Sequence, residues 1–134
     1  MDLYAVVGQA GVTGLKPGIY RYLPERHALV EVSPGDKRES IARGALGQMW
    51  MEEAPVILAI VAEYKRITRK YGERGIRYAL VEVGHVGQNL FLQAEALGLG
   101  VGIVGAFDDR EVASLLKCSS GQDPICLLPV GFKR

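Results

Sequence analysis

Hydrophobic and polar positions along the chain change period several times. Each change predicts an element. Leu3 to Val7 is a short apolar run closed by the polar, glycine-bearing stretch Gly8 to Gly14, the pattern of a strand and its loop. Ile19 to Leu23 and Ala28 to Val32 flank Pro24-Glu25-Arg26-His27, which predicts a hairpin with a four-residue loop and with Arg21 and Glu31 on the wet face. After Ser33-Pro34-Gly35, Asp36 with Glu39 has capping-box spacing. The helix it would open carries Ile41, Ala45 and Met49 on one side. Val56 to Ala62 does not alternate, so it predicts a strand covered on both faces in the middle of a sheet. Glu63 to Tyr71 reads as a short basic helix closed by Gly72, with Tyr64, Ile67 and Tyr71 as its candidate buried face.

The longest helical pattern runs from Ile76 to Leu97. Tyr78, Val81, Gly84, His85, Gln88 and Leu92 trace one stripe, and Leu80, Val83, Gly87, Leu90, Phe91, Ala94 and Leu97 a second. Apolar residues on two sides predict a helix buried broadly, in a large core or against a second subunit. Gly84 and Gly87 each weaken a helix by about 1 kcal/mol relative to alanine, which suggests close approach of a neighbour there. Val101 to Phe107 then reads as a strand, Asp108 to about Lys117 as a helix opened by an Asp-x-x-Glu cap, and Pro124 to Val130 as a last strand before the tail Gly131 to Arg134. These elements make an α+β domain spanning residues 1–134, a sheet with helices packed on it.

Composition narrows the function. Sixteen Lys and Arg against 15 Asp and Glu leave a net charge of +1 over 134 residues, no field for steering nucleic acid or an anionic membrane. The basic run Lys65 to Arg77 is read as a solvated helix surface. The N-terminus lacks a basic region followed by an apolar run, and no stretch approaches the roughly 20 apolar residues of a membrane helix. A cytoplasmic protein without membrane attachment is expected, with Cys118 and Cys126 as reduced thiols.

Candidate chemistry is sparse. Gly100-Val101-Gly102-Ile103-Val104-Gly105 matches G-x-G-x-x-G, but a helix precedes it and a strand pattern continues through it, the reverse of a dinucleotide site. Its glycines instead permit either tight strand packing or close approach of a flat ligand, whose ring edge could meet backbone groups of Val104, Gly105 and Ala106. His27 and His85 have no metal-ligand partners at suitable spacing. His85 is expected as a hydrogen-bonded core or interface residue. With no nucleophile motif, any reaction is expected to be carried by a cofactor.

Several segments carry a resemblance. Lys16-Pro17-Gly18-Ile19-Tyr20-Arg21-Tyr22, Ala45-Leu46-Gly47-Gln48 with Glu53-Ala54-Pro55-Val56, Tyr71 to Leu80, Glu82 to Leu90, Ala96 to Gly100, Gly105 to Asp109 and Leu128 to Gly131 stand in order along nearly the whole chain. In these segments the sequence resembles the FMN-dependent nitroreductase-like oxidoreductases, nearest to their SagB-type dehydrogenase branch. The resemblance implies a mixed sheet wrapped by helices, with the long helix at a homodimer interface. It implies FMN shuttling electrons from a donor such as NAD(P)H to an organic substrate, which in the SagB branch can be a peptide azoline ring. It places Val104, Gly105 and Ala106 at the isoalloxazine ring and Lys133 and Arg134 near the FMN phosphate. Family members carry a further N-terminal portion that contributes to the flavin site and has no counterpart in these residues. A second chain supplying it, or a non-catalytic dimeric relative that has lost flavin, are the alternatives.

Overall fold

The computed structural model describes residues 1–133. Its centre is a six-stranded sheet of β1 (Asp2–Val7), β2 (Gly18–Leu23), β3 (Ala28–Pro34), β4 (Val56–Glu63), β5 (Leu99–Val101) and β6 (Gln122–Phe132), in the order β3-β2-β1-β4-β6-β5. All of these pairings are antiparallel, whereas the resemblance implies a mixed sheet. β4 lies between β1 and β6, as its unbroken apolar run predicts.

Alternation along the strands builds two cores. Tyr4 and Val6, Ile57, Ala59 and Val61, and Leu127 face one side, where α1 (Arg38–Gly44) and α4 (Asp109–Leu115) contribute Ile41, Ala42 and Val112. Leu3, Leu58, Ile60, Cys126 and Leu128 face the other, beneath Val83, Val86, Leu90 and Phe91 of α3 (Arg74–Ala96). Each fully buried Ile or Leu contributes on the order of 1.5–3 kcal/mol by leaving water. α2 (Lys65–Tyr71) buries no residue completely and packs on the start of α3, where a Cβ on Gly75 would sit 3.0 Å from the Ile67 backbone. Tyr71, expected on its buried face, is exposed and meets Tyr78 edge-on, ring centroids 5.3 Å apart.

The two Asp-x-x-Glu spacings resolve differently. Asp108 caps α4, accepting from the Glu111 amide at 2.8 Å. Asp36 does not occupy the N-cap of α1; it accepts from the Arg38 amide and guanidinium and from the Gln9 amide, and Glu39 pairs with Arg43. The Arg38 hydrogen bonds, above all, hold the Asp36 carboxyl at about 2.

Arg21, expected on the wet face, instead reaches back to the carboxylate of Asp2 at 3.0 Å. Arg66 pairs with the same group at 3.1 Å, and Gln122 donates to it at 2.9 Å. Burial alone would raise Asp2. Hydrogen bonds from Arg21 and then Arg66 outweigh it and leave the pKa below the ordinary 3.8. A carboxyl depressed in the folded state contributes stability above its unfolded pKa, lost as pH falls through the folded value. Asp2→Ala should therefore destabilise the protein by about 2–4 kcal/mol at pH 7, because it leaves the Gln122 Nε2 donor and the inner side of Arg21 without an acceptor. Urea unfolding at pH 7 and pH 3 checks both parts: the difference between variant and parent should shrink at the lower pH.

Candidate functional site at the β5 edge

The segment after β5 leaves the sheet for a chemical reason. Leu99, Gly100 and Val101 pair with Phe132, Gly131 and Val130, so the next partner would be Pro129. Pro129 has no N–H to return, and only Gly102 N–H to Pro129 carbonyl forms, at 3.0 Å. The strand expected over 101–107 is thus reduced to Leu99–Val101, a single bridge at Val104 and a strap from Gly105 to Asp108.

Four attachments hold this strap. Val104 N–H donates to the Leu127 carbonyl at 2.8 Å, and Leu127 N–H donates to the Val104 carbonyl at 2.9 Å. Asp108 N–H donates to the Gly44 carbonyl at 2.8 Å. The Gln48 side-chain amide donates to the carbonyls of Ala45 at 3.0 Å and Ala106 at 3.1 Å. A contact with two carbonyls can only be made by the –NH2 end, so the orientation of this amide is fixed by its partners.

The three residues expected to offer backbone groups therefore differ. Both backbone groups of Val104 are turned to Leu127, and the residue is 4 % exposed, so its N–H is not a donor to a ligand. The bridge to β6 makes Val104 an anchor beside Gly105. The Ala106 carbonyl is held by Gln48. Gly105 is exposed, and among the described residues no hydrogen bond uses its backbone and nothing lies within 4 Å of where its Cβ would be. In a trans peptide the N–H points opposite to the preceding C=O. Since the Val104 carbonyl points to β6, the Gly105 N–H points away from the sheet, out of its edge.

The turn that carries Gln48 is unusual. Leu46 (φ 56°) and Gly47 (φ 74°) are consecutive left-handed residues, and Leu46 is 70 % exposed. A bulky residue in that region costs on the order of 1 kcal/mol and is kept only where its surroundings impose it. The 3-10 turn that follows, Met49–Glu53, lays Trp50 against Gly102: a Cβ there would sit 3.0 Å from the indole. Trp50, Gly100, Gly102, Pro129, Phe132 and Lys133 line an open groove of about 610 Å³ along this edge. Lys133 reaches Glu95 of α3 at 2.5 Å, so the strand pairing brings this predicted cation to the groove. Arg134 lies outside the described residues.

Sequence reasoning missed Gln48 and Trp50 as members of the site. A glutamine four residues beyond a helix end, after a Leu-Gly pair with no room for a strand, was the available sign for the first.

The remaining candidates lie elsewhere. His27 is left-handed (φ 46°) in the hairpin loop and meets the Tyr22 hydroxyl through Nδ1 at 2.9 Å. His85 is exposed on the outer face of α3 and makes no hydrogen bond among the described residues, which removes the core half of its expected role. No cluster of three metal-binding side chains occurs among the described residues, and no helix among them is long and apolar enough to cross a membrane.

Both cysteines are free thiols. Burial pushes the Cys126 thiol up to about 11, and burial also raises Cys118. At pH 8 the thiolate is scarce and shielded, so Cys126 should react with iodoacetamide at least tenfold more slowly folded than in urea. Mass spectrometry of a timed labelling series measures this.

Comparison with known proteins agrees with this architecture. The model of the nitroreductase family matches residues 3–132. A Methanocaldococcus jannaschii protein named as a nitroreductase is 47% identical over 133 residues, covering 99% of this chain and 65% of that one. This chain thus spans less than two thirds of that relative's length. A crystal structure described as a nitroreductase of Anabaena variabilis superposes with a TM-score of 0.90 at 30% identity, over 99% of this chain and 27% of that one. The E. coli microcin synthetase McbBCD complex with truncated pro-MccB17 bound shares the fold at a TM-score of 0.86 and 24% identity, over 99% and 52% of the two chains. The match over nearly all of its length, together with the sheet order and helix placement described above, means that the chain belongs to the nitroreductase family of oxidoreductases.

Proposed function

We propose that the protein is an FMN-dependent oxidoreductase that moves electrons from a donor such as NAD(P)H to an organic small molecule or peptide, in the manner of SagB-type dehydrogenases. The observation that carries this reading is Gly105, a backbone position with open space over its Cα and an N–H aimed out of the sheet edge, between anchored neighbours. A planar ring needs that combination: close approach to backbone without a side chain in the way, and a donor at a fixed place on its rim.

In this reading FMN supplies the electron-transfer chemistry, and the chain's residues bind and orient it. Gly105 N–H and the unshared Ala106 N–H serve the ring edge, while Lys133, released from Glu95, and Arg134 serve the phosphate. Trp50 forms one wall of the groove beside Gly102 and offers its indole to a bound ring. The outer face of α3 carries Ile76, Tyr78, Leu80, Val81 and Leu92, all at least 39 % exposed, more apolar surface than one helix leaves to water without cause. A homodimer through this face, with the rest of the flavin site supplied by the partner copy, by further sequence or by a second chain, completes the reading.

The test uses the one tryptophan of the chain. FMN titrated into the protein should quench Trp50 fluorescence to saturation, and gel-filtered protein should retain flavin absorbance and oxidise NAD(P)H in its presence. A colourless protein with unchanged fluorescence would favour the alternative, a dimeric relative that has lost its flavin.

A further inference from the structure

Gln48 reaches across 58 residues of sequence to the carbonyl of Ala106, and its other hydrogen bond returns to Ala45 at the end of α1. Its –NH2 therefore ties the strained Leu46-Gly47 turn to the strap. On the opposite side of Gly105, the Val104 peptide is held by Leu127. Between these two anchors stand only Gly105 and the Gly105–Ala106 peptide, whose C=O and N–H take part in no hydrogen bond among the described residues. A glycine is the residue least able to hold its own φ and ψ. The geometry of its peptide groups is thus set from outside, by Leu127 before it and by Gln48 after it.

We propose that Gln48 is a positioning residue of the cofactor site: it clamps the Ala106 carbonyl and so presents the Gly105 and Ala106 amides in one fixed arrangement to the rim of a bound ring. The proposal rests on the flavin reading above. Its physical content is pre-organisation. Donors already held in place bind more tightly than donors that must be ordered on binding. Gln48 also accounts for the left-handed Leu46, because the turn that strains this leucine is the one that aims the side chain of Gln48 at the strap.

Two variants of the full chain test it. Gln48→Ala removes the clamp. Gln48→Glu keeps its size but, when ionised, offers only acceptors to two carbonyl oxygens. Without any ligand, backbone 15N relaxation at pH 7 should give order parameters at Gly105 and Ala106 that fall from the rigid value of about 0.85 to below about 0.6 in both variants, and leave Val104, which Leu127 holds, unchanged. A general loss of structure would lower all three alike. Gln48→Glu should return toward the order parameters of the parent below about pH 4, where a neutral carboxyl can donate again, and Gln48→Ala should not. With FMN, both variants should show about a tenfold higher Kd at pH 7. If the parent binds FMN and the variants match it in both order parameters and affinity, the clamp is wrong while the flavin reading stands. If the parent binds no FMN, the flavin reading fails and the role of the clamp fails with it.

Discussion

Gly105→Val is expected to lower FMN affinity at least tenfold, about 1.4 kcal/mol, and to leave the fold intact. Both halves follow from the same observation. Nothing lies within 4 Å of a Cβ at this position, so the branched side chain collides with no part of the protein. The φ of Gly105 is not in the left-handed region, so valine meets no backbone strain there. The volume it fills is the open space in front of the outward N–H, which a ring must occupy to reach that donor. Gly102→Val is the contrasting substitution, because its Cβ would push on the Trp50 indole at 3.0 Å and disturb the turn that follows Gln48. Thermal unfolding of Gly105→Val should match the parent, while the fluorescence titration with FMN shifts to higher concentration. An unshifted titration would remove Gly105 from the flavin site.

The sequence disclosed elements better than connections between them. β4 was readable because a strand covered on both faces has no polar positions to break its run, and α3 because its 3.6-residue period lasts for six turns. The antiparallel order of the whole sheet was not readable, since strand order depends on contacts far apart in the chain. β5 was overextended for a local reason with a distant cause: Val101, Ile103 and Val104 have strand composition, but Pro129, some 27 residues on, cannot supply the N–H that would continue the ladder. The site shows the same division. Gly105 stood out because glycine in an apolar run is conspicuous. Nothing in the sequence shows that the hydrogen bonds of Val104 go to Leu127, and Gln48 stood out only as part of a family segment because a polar residue on a turn gives no sign of the carbonyl it will meet. Arg21 drew the same error, its partner Asp2 lying on the neighbouring strand.

The two glycines of α3 should give opposite results, and the difference tests the proposed dimer. Gly87 is buried on the side facing the strap, with Ile103 3.9 Å from its Cβ position, whereas Gly84 is exposed with nothing within 4 Å. Helix propensity alone makes Gly84→Leu stabilising by about 1 kcal/mol in a helix that faces water. If Gly84 instead marks the crossing point of two copies of α3, among Leu80, Val81 and Leu92, leucine holds the two backbones apart and loosens the packing of every apolar contact around it. The dimer should then weaken by about 2–3 kcal/mol, roughly 30- to 150-fold in Kd, by analogy with overpacking in a core. Gly87→Leu should act within one chain, crowding Ile103 and lowering the unfolding temperature of monomer and dimer alike. Sedimentation equilibrium across a range of concentrations separates the outcomes. Gly84→Leu should show a larger monomer fraction than the parent, and it should unfold at a lower temperature at dimer-forming concentrations despite its better helix. A Gly84→Leu protein that sediments as the parent does and melts at a higher temperature would mean that the outer face of α3 meets solvent, and the homodimer proposed through it would be wrong.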